Sequence, residues 1–252
     1  MNLFVSDLDG TLLDKNAELP TPSLSMLNEL IDKGMQFTVA TARTFATVGK
    51  ILAGLKINVP VILMNGVLVR DVENGEYVFK ATMKYQTVKE IVNAIHKHNL
   101  YGFMYTVENN DMVAYYEKIA TDAMKSFYEE RKHKYYKAFL QTDNFMNVNS
   151  DIVYFSLLNT EEILRPLYEE ICEIEDTEAV FYRDVYSEDL WYLEVFSSKA
   201  SKKNAVQFLR EEYNYDKVIC FGDNLNDIPL FQGSDKGYAV ENARQELKDI
   251  AD

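Results

Sequence analysis

The chain has 252 residues, with 40 acidic against 26 basic side chains and a net charge of −14. A surface that acidic repels nucleic acid and anionic lipid, so neither is an expected partner. With 47% hydrophobic residues the chain can bury a real core, which excludes disorder, and no apolar run approaches the roughly 20 residues that span a bilayer.

The first apolar run, Leu3 to Ser6, reads as a buried strand that stops at Asp7-Leu-Asp9-Gly10-Thr11. No basic region precedes it, which argues against a signal peptide. Leu24, Leu27, Leu30 and Ile31 share one face of a helix predicted over Pro22 to Lys33, with Gly34 as its stop. A second strand, Gln36 to Ala40, ends at Thr41-Ala42-Arg43. A helix is expected from Phe45 to Leu55, then a third strand from Pro60 to Met64 that ends at Asn65-Gly66. Strands alternating with helices are the pattern of a parallel sheet with right-handed crossovers.

The pattern then changes. Val67 to Lys80 alternates around Asn74-Gly75, a hairpin signal. Helices are predicted over Val88 to His98, Thr121 to Lys132 and Glu161 to Ile174. Strands are predicted at Gly102 to Val107, Met112 to Tyr116 and Ile152 to Leu158, with Ala179 to Tyr182 and Trp191 to Val195 as a strand pair. Twelve of the 17 tyrosines fall between Tyr101 and Tyr192, a shift in composition that suggests a separate α+β unit packed largely through sheet aromatics. The first pattern resumes with a helix from Ser201 to Tyr213, a strand from Val218 to Phe221 that ends at Gly222-Asp223-Asn224, and helices near Asp227 to Gln232 and Ala243 to Ile250. The expected fold is α/β: a doubly wound parallel-sheet, Rossmann-like base domain (1–82 and 191–252) with an inserted α+β cap (83–190).

Asp7, Thr41 and Asp223 each follow an apolar strand, and open parallel sheets bind ligands just beyond the carboxyl ends of their strands. Of the paired carboxylates Asp7 and Asp9, on a turn tightened by Gly10, one can attack phosphorus while the other moves the leaving-group proton. Two carboxylates beside a phosphate need a divalent cation. Asp223, with Asp227 nearby, adds oxygen ligands of the kind Mg²⁺ prefers. Thr41 can donate its hydroxyl to a phosphoryl oxygen, and Lys202 at a helix start adds positive charge. Each piece has a plainer reading: a polar turn for the first motif, a helix cap for Asp223 or Asp227. Arg43 can contact phosphate or pair with an acid. His96, His98 and His133 sit among charged residues and read as solvated, as does the basic cluster Arg131 to Lys134.

With these residues in place, the chain resembles the haloacid dehalogenase superfamily, and within it the Cof-type phosphatases with a class IIB cap. The first motif matches in full from Asp7 to Leu12, the second as Thr41-Ala42-Arg43, the third as Ser201-Lys202, and the fourth as Gly222-Asp223-Asn224-Leu225-Asn226-Asp227. Asn65-Gly66 and Asn242-Ala243 match two further recurrent pairs. The resemblance implies Asp7 as nucleophile, Asp9 as general acid/base, and Gly10, Thr41 and Lys202 on the phosphate. It further implies Asp7, Asp9 and Asp223 on Mg²⁺, with Asn65, Asn226 and Asp227 in support. Proline and glycines usual around the lysine are replaced by Ser197, Lys199 and Lys203, so spacing alone selects Lys202. The chain also ends at Asp252, earlier than the resemblance implies, so a last element is expected to be absent. The expected activity is Mg²⁺-dependent hydrolysis of small phosphorylated metabolites, such as sugar phosphates or phosphorylated cofactors, through an aspartyl phosphate. A cytoplasmic monomer or homodimer is expected. A phosphomutase, or a phosphate-ligand binding module without catalysis, remains open on these residues.

Overall fold

A computed structural model of the protein describes residues 1–134, 138–184, 187 and 189–252, with Lys134 described in its backbone alone. Tyr135, Tyr136 and Tyr186 of the tyrosine-rich stretch, and the Lys134 side chain of the basic cluster, lie outside the described residues. The chain divides into two compact units, Met1–Lys80 with Ala200–Asp252, and Ala81–Lys199.

In the first unit, β1 (Asn2–Ser6), β2 (Gln36–Val39), β12 (Lys217–Gly222) and β13 (Lys236–Ala239) form a parallel sheet in the order β13-β12-β1-β2. The chain steps from β1 to β2 on one side and later from β12 to β13 on the other, so strand order reverses between β1 and β12. Crevices open at such a reversal, and Asp7 and Asp223 stand at the ends of the two strands that flank it. β3 (Val61–Leu63) joins through a single parallel bridge between Ala40 and Ile62, and itself pairs antiparallel with β4 (Leu68–Arg70), which pairs with β5 (Tyr77–Lys80). Leu3, Val5, Val218 and Cys220 are fully buried, packed with Ala205, Val206 and Leu209 from α6 (Lys202–Glu212) and Leu230 from α7 (Ile228–Gln232). Pro20 at the N-cap and Pro22 within the first turn start α1 (Thr21–Asp32), where a missing N–H has no partner to lose. A last helix, α8, covers Gln245–Lys248.

Two differences from the sequence reading arise here. The helix expected from Phe45 to Leu55 is only one turn, α2 (Phe45–Val48). Gly49 and Gly54 with β-branched Thr47, Val48 and Ile51 give that stretch low helix propensity. Strand β13, with Lys236-Gly237 at its start and only four residues, carries no alternation that sequence reasoning could detect.

The second unit is a six-stranded sheet in the order β10-β11-β9-β6-β7-β8: β6 (Phe103–Glu108), β7 (Asp111–Tyr116), β8 (Ala138–Gln141), β9 (Ile152–Asn159), β10 (Thr177–Arg183) and β11 (Trp191–Ser197). All neighbours run antiparallel except β7 and β8. Helices α3 (Tyr85–Lys97) and α5 (Glu161–Cys172) bury Ile91, Ile95, Leu164, Leu167 and Ile171 against one sheet face, on Met104, Phe155, Leu157, Leu193 and Val195. Side chains alternate along strands, so Tyr105, Tyr154, Tyr192 and Glu194 belong to the opposite face. Helix α4 (Asp122–Lys134) meets that face where Phe127 stacks on Phe103. Residues 191–199, assigned on sequence to the base domain, are part of this unit: Trp191 to Phe196 pair with both β9 and β10. A strand held by ladders on both sides cannot belong to another sheet.

Candidate active site

The turn after β1 is the first piece of the site. Gly10 sits at φ +83°, and a Cβ there would lie 2.3 Å from Oδ2 of Asp223, so only glycine lets the β1 turn close on the β12 turn. Asn242 donates from Nδ2 to the Gly10 carbonyl at 2.8 Å, and the Thr11 hydroxyl donates to Asp223 Oδ1 at 3.1 Å. The first and fourth motifs are thereby stitched together directly.

Asp7 is 4% exposed and Lys202 only 1%. The Lys202 ammonium donates to Asp7 Oδ1 and to Asp227 Oδ1, both at 2.6 Å. Asp227 is fully buried; its other oxygen accepts the backbone N–H groups of Asp223 at 3.0 Å and Asn224 at 3.1 Å. Asp227 therefore acts as both a cap for its own turn and an anchor for Lys202. Lys199 and Lys203 are exposed, so burial selects Lys202, as spacing did. Lys202 opens α6, whose N-cap Ser201 accepts from Asn204 N–H at 3.0 Å.

Electrostatics follow from this crowding. Burial pushes the Asp7 carboxyl up to about 7; Lys202 pulls it down, while Asp227 and Asp223 add like charge. Asp223 is raised for the same first reason, burial, partly offset by the Thr11 hydrogen bond. Burial pulls Lys202 down, but the two carboxylates on it outweigh that and hold it above its ordinary value, so it stays an ammonium. Three carboxylates thus face one fixed cation.

A divalent cation fits that imbalance. One oxygen each from Asp7, Asp223 and Asp227 lie within 4.8 Å of one another, the only such acidic or imidazole cluster among the described residues. The oxygens of Asp227 are already taken by Lys202 and two N–H groups, so Asp7 and Asp223 are the available side-chain ligands. Of the expected ligand set Asp7, Asp9 and Asp223, the Asp9 side chain lies outside this cluster. The Asp9 side chain is half exposed and turned to Arg43, which grips it through Nε at 2.7 Å and Nη2 at 2.5 Å. Residues two apart on a tight turn need not point into one cleft, and here Arg43 decides where Asp9 points.

The remaining expected residues lie on the same rim. Thr41, 1% exposed at the end of β2, accepts the Arg43 N–H at 3.1 Å and keeps its O–H to donate. Its carbonyl accepts the Asn65 N–H at 2.9 Å, and Asn226 Nδ2 reaches Asn65 Oδ1 at 3.3 Å. Asn65-Gly66 is strained backbone: Met64, Asn65 and Gly66 all have positive φ, and a Cβ at Gly66 would lie 2.2 Å from the Ser201 carbonyl. That close approach seats the start of α6, and so Lys202. Sequence reasoning missed the Thr11 bridge to Asp223 and left Arg43 undecided, because both depend on contacts between distant turns. The histidines lie outside this cluster: His96 pairs with Glu117, His98 with Glu170 and His133 with Glu129.

Known proteins resemble the chain in sequence and in fold. The chain is 25% identical to phosphatase YwpJ of Bacillus subtilis over 100% of its own length and 93% of that protein. The solved structure of TM0651 from Thermotoga maritima superposes with a TM-score of 0.79 at 25% identity, covering 99% of this chain and 90% of that one. The HAD subclass IIB sugar phosphatase BT4131 shares the fold with a TM-score of 0.70 at 18% identity, over 100% of this chain and 92% of that one. No helix among the described residues is long and apolar enough to cross a membrane. The model of the haloacid dehalogenase-like hydrolase family matches residues 4–252, and the chain belongs to that family.

Proposed function

We propose that the protein is a Mg²⁺-dependent phosphatase of small phosphorylated metabolites that works through a phosphorylated Asp7. The observation that carries this reading is the buried Asp7 carboxylate, hydrogen-bonded to Lys202 and set beside Asp223 at the reversal of strand order. Its family relatives include named phosphatases, which supports phosphate esters as the substrate class.

Asp7 Oδ1 is held by Lys202, which orients the other oxygen for in-line attack on phosphorus. As the bond to the ester oxygen breaks, Lys202 and the Thr41 O–H stabilise charge on the phosphoryl oxygens. Asp9 gives its proton to the leaving alkoxide and then takes one from the water that cleaves the aspartyl phosphate. For that, Asp9 has to leave the grip of Arg43. A bound Mg²⁺, held by Asp7 and Asp223, would supply the positive charge that lets a dianionic ester approach two carboxylates. We further propose that the second unit acts as the cap that selects the substrate.

Phosphate release from a panel of phosphorylated metabolites, with Mg²⁺ or chelator, tests the reading. Metal-dependent release that disappears in Asp7→Asn is expected. Transfer back to substrate without free phosphate would mean a mutase, and ligand binding without turnover would mean a binding module.

A further inference from the structure

Arg43 holds the Asp9 carboxylate through two N–H groups, Nε at 2.7 Å and Nη2 at 2.5 Å. In the reaction proposed above, Asp9 turns from Arg43 to the leaving oxygen, and both N–H groups then lose that carboxylate. The guanidinium keeps its charge at any working pH, so it takes another acceptor within reach, water or an anion.

The turn that carries Arg43 does not follow Asp9. The Arg43 N–H donates to Thr41 Oγ1 at 3.1 Å, and its carbonyl accepts the Met64 N–H at 3.1 Å. Two residues on, the Arg70 guanidinium lies over the Phe45 ring, 4.4 Å from its centroid, and 4.7 Å from the centroid of Tyr77. Phe45 opens α2, Arg70 ends β4 and Tyr77 starts β5, so the Arg43 turn is clamped to that hairpin. The guanidinium fork therefore stays at the rim where Asp9 now lies. Because Asp9 is the group that meets the leaving oxygen, the organic part of the ester emerges beside the same rim.

Lys202 and Arg43 differ in what they can exchange. Lys202 is buried between Asp7 and Asp227, where loss of a partner strands a charge away from water. The Arg43–Asp9 pair is partly exposed, 29% at the arginine side chain and 50% at the aspartate, and pairs of that kind open at small cost. An incoming anion makes up that cost. The planar fork matches a carboxylate or phosphate with two parallel N–H···O bonds, whereas a neutral hydroxyl presents a single oxygen.

We propose that Arg43 is a specificity-determining residue that exchanges Asp9 for a carboxylate or phosphate on the organic part of the substrate, so that the site favours phosphate monoesters carrying a second anionic group. This rests on the phosphatase reading, which brings the leaving oxygen to Asp9. An ester with a second anion frees Asp9 as it binds, while a neutral ester has to open the Arg43–Asp9 pair unaided.

Two pairs of esters test the exchange. 3-Phosphoglycerate and glycerol 3-phosphate differ by a carboxylate in place of a hydroxymethyl group, and 6-phosphogluconate and glucitol 6-phosphate differ in the same way at longer reach. kcat/KM for each would be measured on the full chain with Mg²⁺, in wild type, Arg43→Ala and Arg43→Lys. In at least one pair the carboxylate ester is expected to be preferred by about tenfold, as for a partly exposed charge-assisted fork. Arg43→Ala is expected to bring that ratio to about one, and Arg43→Lys, which keeps the charge but loses the fork, to about threefold. Ratios near one in wild type for both pairs, or a preference that Arg43→Ala leaves intact, overturn the proposal. Where wild type releases phosphate from none of the four esters, calorimetric binding of the same esters to wild type and Arg43→Ala decides instead. Tighter binding of a carboxylate ester that Arg43→Ala abolishes would then defeat the phosphatase reading and leave the anion site standing, and equal binding within each pair would defeat both. Phosphate release without any preference would defeat the anion site alone.

Discussion

Both units carry a carboxylate removed from water, and they answer it in opposite ways. In the first, Asp7 faces the Lys202 ammonium, and an oxygen each of Asp223 and Asp227 lies within 4.8 Å of one of its own. In the second, Glu194 on β11 is hydrogen-bonded by phenols, Tyr182 at 3.0 Å and Tyr154, with Arg131 at longer range. Burial raises both carboxyls. Phenols quiet a carboxylate by hydrogen bonds and add no charge of their own. Lysine quiets it by charge while two further acids are added, which leaves three acidic groups to one lysine in the cluster, an excess of acid over base. A fold has no use for that excess; a metal-assisted reaction does. Local charge imbalance, rather than burial of an acid, separates the unit proposed to carry the reaction from the other.

The largest effect that would test this contrast is Asp7→Asn. Lys202 keeps Asp227 as partner, so the fold should survive, and phosphate release should fall by about 10⁴-fold or more, as expected for loss of a covalent nucleophile. A variant within tenfold of wild type would remove Asp7 from the chemistry. Lys202→Ala should lose about 10²–10³-fold in kcat. It should also destabilise the first unit by about 3–5 kcal/mol, since two buried carboxylates lose their cation. Thermal melting with and without Mg²⁺ reads this, because added metal should recover part of the loss; a metal-insensitive melt would contradict the imbalance.

Asp9→Asn should be selective. Hydrolysis of an alkyl phosphate should fall by about 10²–10⁴-fold, and that of p-nitrophenyl phosphate, whose leaving group needs no proton, much less. Equal losses on both would count against an acid role for Asp9.

The smallest effect belongs to Glu194. Its folded pKa lies above the ordinary 4.5, so the fold favours the protonated acid. Stability from that preference is complete below the unfolded value and is lost as pH rises through 4.5 toward the raised folded value. Wild type should therefore melt at a lower temperature at pH 7 than at pH 5 by more than Glu194→Gln does, with hydrolysis of a simple ester unchanged. Identical pH slopes in the two proteins would show that Glu194 is charged without penalty, and the contrast with Asp7 would fail.

How far these features could be read without coordinates varies along the chain. The strand–turn motif at Asp7 and the Gly222-Asp223 turn were legible because an apolar run ending in Asp and Gly is a local signal, and strand ends converge in a parallel sheet. Gly10 was legible as a turn residue, but its second role, admitting Asp223 within van der Waals contact, was not. Asp227 was read as support, and Asp9 as a ligand. Their places in the structure are set by Lys202 and Arg43, residues 25 and 34 positions away along the chain. β11 was legible as a strand and as the partner of Ala179 to Tyr182, but the domain bound drawn at 191 parted the two, because alternation does not mark where one unit ends.

By itself, then, the sequence determined the α/β pattern, the interruption by an aromatic-rich α+β unit, and the four motifs with Asp7, Thr41, Lys202 and Asp223 at their heads. Those depend on periodicity and on turn chemistry, which act over a few residues. Tertiary structure alone decided that Asp7 and Asp227 share Lys202, that Arg43 holds Asp9, that β13 closes the sheet edge, and that a cavity lies beside Arg131. Those depend on which distant turns and strands are brought side by side, and a side chain takes its partner only after the backbone has placed one within reach.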